Sequence, residues 1–363
     1  MRSVWSSAER AANGVVDLAR VPLAWAAVVA LALAVASPAG SDARDDTAWL
    51  QARLDQAGGR LFLPKLPNGE CYATRGLWVW HDDTTITSDG ACVVALGSGE
   101  VRLTSADGDP IAANAVFFVN HAQPLEPTPV RVTIANLRIV VPRPAQMFGL
   151  GIFGHEVTVR NVTVGGFPID AITIGGRANG SGYAGRVAVV GSTLSGGVRN
   201  VLSATGVIGL RVERNRISGA RDLPPGQPAA GVIVEPDHRG APTIDVRIAR
   251  NTIVGNAGPG IILSLDSNRG SPAVGTRLEI AGNRVLRNGR APTPPVRAGI
   301  VLNGGQDRGG RRIVLTDNVV RGNSGPGVLG RKLKLVVAVR GNDLRGNTGG
   351  ASKGVRFVRL GRR

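Results

Sequence analysis

The chain has 363 residues and carries 43 Lys+Arg against 26 Asp+Glu, a formal net charge of +17. Its 43% apolar content can build a core, which excludes a disordered polyampholyte, and its 51 glycines follow no Gly-X-Y period, which excludes a collagen. Two cysteines exclude a disulfide-rich scaffold and a four-cysteine zinc site. Four of the basic residues are Lys and the rest Arg, a skew that a GC-rich coding sequence also produces. A basic surface favours polyanionic partners such as a uronic-acid polysaccharide or an anionic envelope.

Arg2, Arg10 and Arg20 precede an uncharged run from Val21 to Ala36. That run is shorter than the roughly 20 residues that span a bilayer. Ala34 and Ala36, followed by Ser37 and Ala39, set small residues at the spacing of a signal-peptidase site. Residues 1–36 therefore read as a signal peptide. The long leading stretch with Glu9 and Asp17 keeps an uncleaved N-terminal anchor as the alternative. In both cases the remainder is expected outside the cytoplasm, secreted or periplasmic, with a membrane touched only through an uncleaved N-terminal segment. Cys71 and Cys92 can pair in such an oxidising space, and no other cysteine competes. Export, together with the absence of aromatics interleaved among the basic residues, argues against a nucleic-acid partner.

Residues 41–128 read as an N-terminal cap and first coils. Thr47 suits a helix N-cap, and Asp45 and Asp46 suit the positive helix end. Trp49, Leu50, Leu54 and Ala57 can share one face before Gly58 and Gly59 stop the helix. Strands are expected at Leu61–Leu63, Leu77–Trp80, Thr84–Thr87 and Cys92–Leu96. Trp78 and Trp80 lie two apart on one strand and read as core or cap packing before sugar stacking. Pro124–Pro129 reads as a loop or joint, and the paired Asp82 and Asp83 as turn residues.

Residues 129–363 read as repeats continuous with that opening. Asn followed shortly by a β-branched or Leu residue recurs at Asn136, Asn161, Asn215, Asn251, Asn283, Asn318 and Asn342, with Ser192 in the slot once. Each phrase follows an alternating strand such as Asp245–Arg250 and precedes a turn such as Gly255–Pro259. A third strand then opens on Gly and Ile or Val, at Gly231, Gly260, Gly299 and Gly327. Period-2 alternation predicts half-buried strands. Units this short cannot close a core alone and must stack.

The phrases around Asn251–Asn256 and Gly260–Leu263 resemble the parallel β-helix repeat of pectate-lyase-like proteins. The run Asp45–Gln51 with Gly58–Pro64 resembles the opening of that superfamily's domain, where a short helix precedes the first coil. The resemblance implies an all-β chain: a right-handed parallel β-helix solenoid with a short N-terminal capping helix, acting on carbohydrate. The helix would cover the strand edges at the open end. With coils about 4.8 Å apart, Cys71 and Cys92 would bridge neighbours if their registers match. The Asn series reads as a ladder satisfying backbone groups at the bends, not as chemistry.

Chemistry is expected in the loops that leave the Gly-Ile strands, because these share one edge of the stack. They carry Arg177 and Asn179, then Glu235, Asp237, His238 and Arg239, then Ser264, Asp266, Asn268 and Arg269, then Asn303, Asp307 and Arg308. Aligned on strand starts, Glu235, Ser264 and Asn303 fall in one column. Glu235, Asp237, His238 and Asp266 are the candidate catalytic residues, and Arg239, Arg269, Asn268 and Asp307 the candidate substrate contacts. A glycosidase would pair Glu235 or Asp237 with Asp266 across two coils. A lyase or epimerase would use His238 as base, Arg239 or Arg269 to neutralise a uronate carboxylate, and Asp237 to orient. Alternatively the carboxylates would hold Ca²⁺.

The run Glu235–His238 resembles the Asp-Pro-His-Asp run of mannuronan epimerases with its acidic and His residues reordered, while the paired aspartates of polygalacturonase repeat strands are absent. His81, His121 and His155 show no metal-ligand spacing. The C-terminal stretch from Arg331 reads as a basic end coil or an anionic-envelope contact. The expectation is an exported monomer acting on an acidic polysaccharide as a lyase, hydrolase or epimerase. The alternative is a non-catalytic glycan-binding scaffold or adhesin.

Overall fold

The short alternating segments become rungs of a stack. A computed structural model describes residues 44–56, 58–97, 102–104, 110–112, 115–120, 130–143, 145, 147–175, 183–223, 225–236, 241–265, 277–291, 296–304 and 312–361. Residues 1–36, where an export segment is expected, and the Pro124–Pro129 stretch lie outside them. Each coil gives one strand to each of three parallel sheets, here A, B and C in the order the chain meets them. One coil, for instance, runs through Val246–Ala249 in A, Thr252–Val254 in B and Ile261–Ser264 in C. Among the described residues the sheets hold 11, 9 and 10 strands. A small parallel sheet of Ala184–Gly185, Val207–Ile208 and Thr243–Ile244 lies between C and A in the chain order, and one antiparallel pair joins Arg102–Thr104 to Pro110–Ala112. No helix of the described residues is long and apolar enough to cross a membrane.

Alternation sends one apolar column inward from each sheet. In sheet C, Val119, Ile152, Ile174, Ala204, Val234, Leu263 and Leu302 are register partners from coil to coil, and all are essentially unexposed. Ile134, Val159, Val189, Val212, Ile248 and Ile280 do the same in sheet A. Each buried side chain of this size contributes about 1.5–3 kcal/mol relative to exposure. No coil contains both faces of its own core, so stability is shared between neighbours.

Two polar ladders run beside those columns. At the A-to-B bend, Asn215, Asn251, Asn283, Asn318 and Asn342 form the first. The backbone N–H of each donates to the side-chain oxygen of the next at 2.9–3.0 Å. Their amide nitrogens also donate back to carbonyls such as Val212 and Ile248 at 2.8 Å. Ser192 occupies the slot once, donating its N–H to Asn215. A second ladder of Asn256, Asn288, Asn323 and Asn347 lies at the B-to-C turn. It explains the glycine that opens the later C strands, Gly231, Gly260, Gly299 and Gly327. A Cβ on Gly260 would stand 2.9 Å from Asn288 Nδ2 and 2.4 Å from Val285 Cγ1.

The Asn series needs one correction. Asn136 and Asn161 are not rungs. The registers set them opposite Gly191, Arg214 and Arg250, one residue ahead of the ladder slot, with φ of 61° and 53°. They take the left-handed bend position that Asn tolerates. Leu137 and Val162, both buried, fill the ladder slot in those coils.

The helix runs Thr47–Gln56, so Thr47 is its first residue and Asp46, whose carbonyl accepts from Leu50 N–H, stands at the cap position. Asp46 also receives Ala73 N–H on its carboxylate, tying the helix to the first coil. Leu50 and Leu54 face the core. Trp49 does not share their face: it is 44% exposed and stacks on Tyr72, with the Arg53 guanidinium above it. Ala57 lies outside the described residues. Cys71 and Cys92 are register partners on adjacent strands of sheet B and form a disulfide.

Candidate functional site

The outward face of sheet C collects the polar and aromatic side chains that the core excludes. Because Ala204, Val234 and Leu263 point inward, the residues that follow them point out. Thr205, Glu235, Ser264, Asn303 and Arg331 thus occupy successive rungs at the edge where the strands exit. Asn303 Nδ2 donates to Ser264 Oγ at 3.3 Å. The column of Glu235, Ser264 and Asn303 expected from aligned strand starts matches these registers. Asp237, His238, Arg239, Asp266, Asn268, Arg269 and Asp307 lie outside the described residues, as do Arg177, Asn179 and Arg308. Of the candidate catalytic and substrate-contact residues, the structure therefore positions Glu235 alone.

At the opposite end of the same strands lies a buried charge pair. Asp170 is fully buried where its strand begins. Its carboxylate accepts from Arg199 Nη2 at 2.6 Å and Nε at 3.2 Å, and from Asn200 N–H at 3.0 Å. Asn200 passes the connection on, donating to Ser203 Oγ and accepting Ala230 N–H, so three adjacent coils are linked. Burial opposes the Arg199 charge, but Asp170, and further off Glu235, outweigh it and hold the Arg199 pKa above its usual value. A guanidinium held this way keeps its charge but shares it with Asp170, so the pair fastens adjacent coils at the start of the sheet C face.

Aromatic rings cover the first coils of this face. Trp78 meets Phe118 edge-on at 4.9 Å, and Phe118 meets Phe153 at 5.1 Å. The Arg199 guanidinium lies 6.0 Å from the Phe148 ring. The absent side chain at Gly151 makes room, since a Cβ there would stand 2.8 Å from the Phe118 ring. Phe118 is buried, whereas Trp78, Phe148 and Phe153 keep part of their surface. Trp80 serves the cap, donating its indole N–H to Asp55 at 2.8 Å.

Among the described residues no group of three or more His, Cys, Asp or Glu is placed to hold a metal ion. The carboxylates considered for Ca²⁺ are mostly undescribed. Sequence reading passed over Asp170 and Arg199. A signal was present, because Asp170 and Asn200 open C strands at a slot that later coils fill with Ala230, a residue with no polar side chain. A buried polar departure from a repeat is hydrogen-bonded for a reason.

No protein-family model and no curated protein matches the sequence. Solved structures do resemble it. A tailspike protein of E. coli bacteriophage HK620, solved with a pentasaccharide, has 15% identity and a TM-score of 0.59 over 88% of this chain and 62% of that one. A tailspike of an Acinetobacter baumannii bacteriophage, described as a capsular polysaccharide depolymerase, has 13% identity and a TM-score of 0.51 over 87% of this chain and 55% of that one. The Azotobacter vinelandii mannuronan C-5 epimerase AlgE4 A-module has 15% identity and a TM-score of 0.37 over 89% and 97%. The chain thus spans about three fifths of the tailspike chains. At these identities the likeness is one of fold: the chain is a right-handed parallel β-helix.

Proposed function

We propose that the protein is exported and acts on an acidic polysaccharide lying along the outward face of sheet C. The observation that carries this reading is the polar column Thr205, Glu235, Ser264, Asn303 at the exit edge, sharing a face with the Asp170–Arg199 pair and the half-covered rings. One polar side chain per coil, at about 4.8 Å intervals, suits a polymer running along the stack. The half-covered rings suit stacking against sugar faces. The structurally similar tailspikes, one solved with a pentasaccharide and the other a capsular polysaccharide depolymerase, support the substrate class.

In this reading Glu235 and Asp266 form the paired carboxylates of a hydrolase, or His238 abstracts the proton beside a uronate carboxylate that Arg239 or Arg269 neutralises, with Asp237 orienting the base. Asn268 and Asp307 contact neighbouring sugars. The site lies outside the cytoplasm, following the export segment.

The test incubates the protein, with and without Ca²⁺, with acidic and neutral polysaccharides. Ultraviolet absorbance of unsaturated uronide ends is read together with reducing-end release and with exchange of the uronate C5 proton for solvent deuterium. Both of the first two signals rising identifies a lyase, reducing ends alone a hydrolase, and C5 exchange alone an epimerase. Glu235→Gln and His238→Ala then assign roles. Silence in all three channels with binding retained leaves the scaffold reading, and loss of binding as well overturns the polysaccharide reading.

A further inference from the structure

The two ends of the stack are finished differently. At the start, the helix Thr47–Gln56 sets Leu50 and Leu54 into the core. At the other end, sheet A stops at Arg356–Arg359 and sheet C at Ser352–Lys353. Among the described residues no element covers that last layer, so the inward columns run out into solvent. Val320 and Val337 are fully buried. Leu344 and Phe357, which follow them one coil later, are only partly covered. Val355 and Leu360 are partly covered too, and Val358 is 49% exposed. The inward column Ile280, Leu315, Val339 ends on Arg359, an exposed cation.

Cations surround this apolar layer. Between residues 331 and 361 the sequence holds one carboxylate, Asp343, and Arg321 and Arg345 both bond to it. Lys353 lies on the sheet C side, Lys332 and Lys334 on the passage from C to A, and Arg356 and Arg359 in sheet A. All five are exposed. Among the described residues no carboxylate lies within 4 Å of their charged nitrogens. Neighbouring cations without a counter-charge favour an anionic partner.

The apolar layer narrows what that partner is. A second copy docked on the same surface would set like charges against each other. A soluble polyanion would neutralise the cations and leave the apolar layer in water. An anionic bilayer answers both features, because its phosphates meet the cations while apolar side chains enter the headgroup region. One charge in an inward slot is enough to stop a further strand from adding to the edge. The other four cations are not needed for that.

We propose that the C-terminal end of the solenoid docks on an anionic phospholipid surface, with Lys353, Arg356 and Arg359 on lipid phosphates and Val358 at the boundary between headgroups and acyl chains. Docked by its end, the stack stands away from the surface and leaves the outward face of sheet C open along its length. This contact goes beyond the polysaccharide reading and does not depend on it.

Co-sedimentation of the full chain with vesicles tests the proposal. One set is equal parts phosphatidylglycerol and phosphatidylcholine, the other phosphatidylcholine alone. An apolar N-terminal run would partition into both, so the difference between the two sets is read. Binding to the anionic set is expected to be stronger by about tenfold or more, and to weaken steeply as salt rises. The triple variant Lys353→Gln, Arg356→Gln, Arg359→Gln should lose about tenfold on the anionic set with its melting temperature unchanged. A control triple removes the same charge from exposed mid-stack positions, Arg160→Gln, Arg216→Gln and Arg284→Gln, and should lose far less. In Val358→Trp, the added indole should be quenched by brominated lipid in the anionic vesicles. Equal binding to the two sets, equal losses in the two triples, or an unquenched indole overturns the membrane contact. Loss of polygalacturonate binding in the end triple, with no vesicle binding by the parent chain, overturns it in favour of a soluble polyanion. Conversion of polysaccharide by a chain that binds no vesicle would remove this contact and leave the proposed function standing.

Discussion

The coils from Val246 to Asn347 and those from Cys71 to Gly166 solve one problem in two ways. In the later coils every bend repeats the same side chain, and two Asn ladders absorb the backbone groups that the turns leave over. Among the described residues the earlier coils have no such ladder, only a single bond from Asn161 Nδ2 to Asn136 Oδ1. There Ser88 donates to the Asn136 carbonyl and accepts the N–H groups of Gly90 and Ala91. Asn136 and Asn161 bend the chain in the left-handed conformation. The disulfide, the capped helix and the Trp78–Phe118–Phe153 cluster supply what the ladder supplies elsewhere. A ladder spreads each loss over neighbours, whereas local devices confine it.

That contrast can be broken from either side. Asn283→Ala should be the most damaging single change. It strips partners from Asn251 N–H, the Ile248 carbonyl and two side-chain amides, all buried, and should cost about 3 kcal/mol or more. The loss would appear as a large drop in melting temperature, with amide-exchange protection reduced several coils away. Asn161→Ala, exposed and off the ladder but at a left-handed bend, should cost about 1–2 kcal/mol and leave distant coils protected. Equal effects at the two positions would contradict the ladder account.

Asp170→Asn should come next. Removing one partner of a buried pair costs about 3 kcal/mol, and a coupled loss of affinity for acidic glycan would tie Arg199 to the ligand. Gly299→Ala drives a Cβ to 2.3 Å from Val320 Cγ1, and overpacking of this kind costs about 1–3 kcal/mol. The double variant Cys71→Ser, Cys92→Ser should lose about 3 kcal/mol, with exchange protection falling in the first coils only.

The smallest effect is on pH. Hydrogen bonds and charge from Arg345 and Arg321 hold the Asp343 carboxyl below its usual pKa, and Thr47 and then Arg75 do so for Asp45. A depressed carboxylate contributes stability that is present above its unfolded pKa of about 4 and is lost as pH falls through the folded value. Melts between pH 5 and 2 should fall modestly, and Asp343→Asn should flatten part of that slope.

The stack was readable because its period is written in apolar residues. Ile134 to Ile280 in one sheet and Val119 to Leu302 in another alternate as β-strands must, and the opening glycines mark where each C strand starts. The first ladder was readable where Asn stands directly before an alternating strand. It was over-read at Asn136 and Asn161, because a one-residue offset is invisible to spacing and decisive in register. The second ladder was hidden inside Gly-Asn pairs that look like turns. Trp49 was misassigned because helical periodicity places a residue near a face without saying whether another ring covers it from outside. In the site, Glu235 and its column follow from strand length. Asp170 and Arg199 do not, since each takes its meaning from a partner one coil away and 29 residues distant in sequence.

The two ladders keep step with each other. From Asn251 to Asn283 the chain advances 32 residues, and so it does from Asn256 to Asn288; the next steps are 35 and 35, then 24 and 24. All growth and loss of length has therefore fallen outside the five-residue passage that separates them. Such a protein lengthens by whole turns, as a screw gains threads, and changes its loops freely between them. Excision of Thr252–Asn283 would join Asn251 to Arg284 and leave both rows of amides meshed, with Asn288 taking the place of Asn256. Excision of one residue more or fewer would strip the thread.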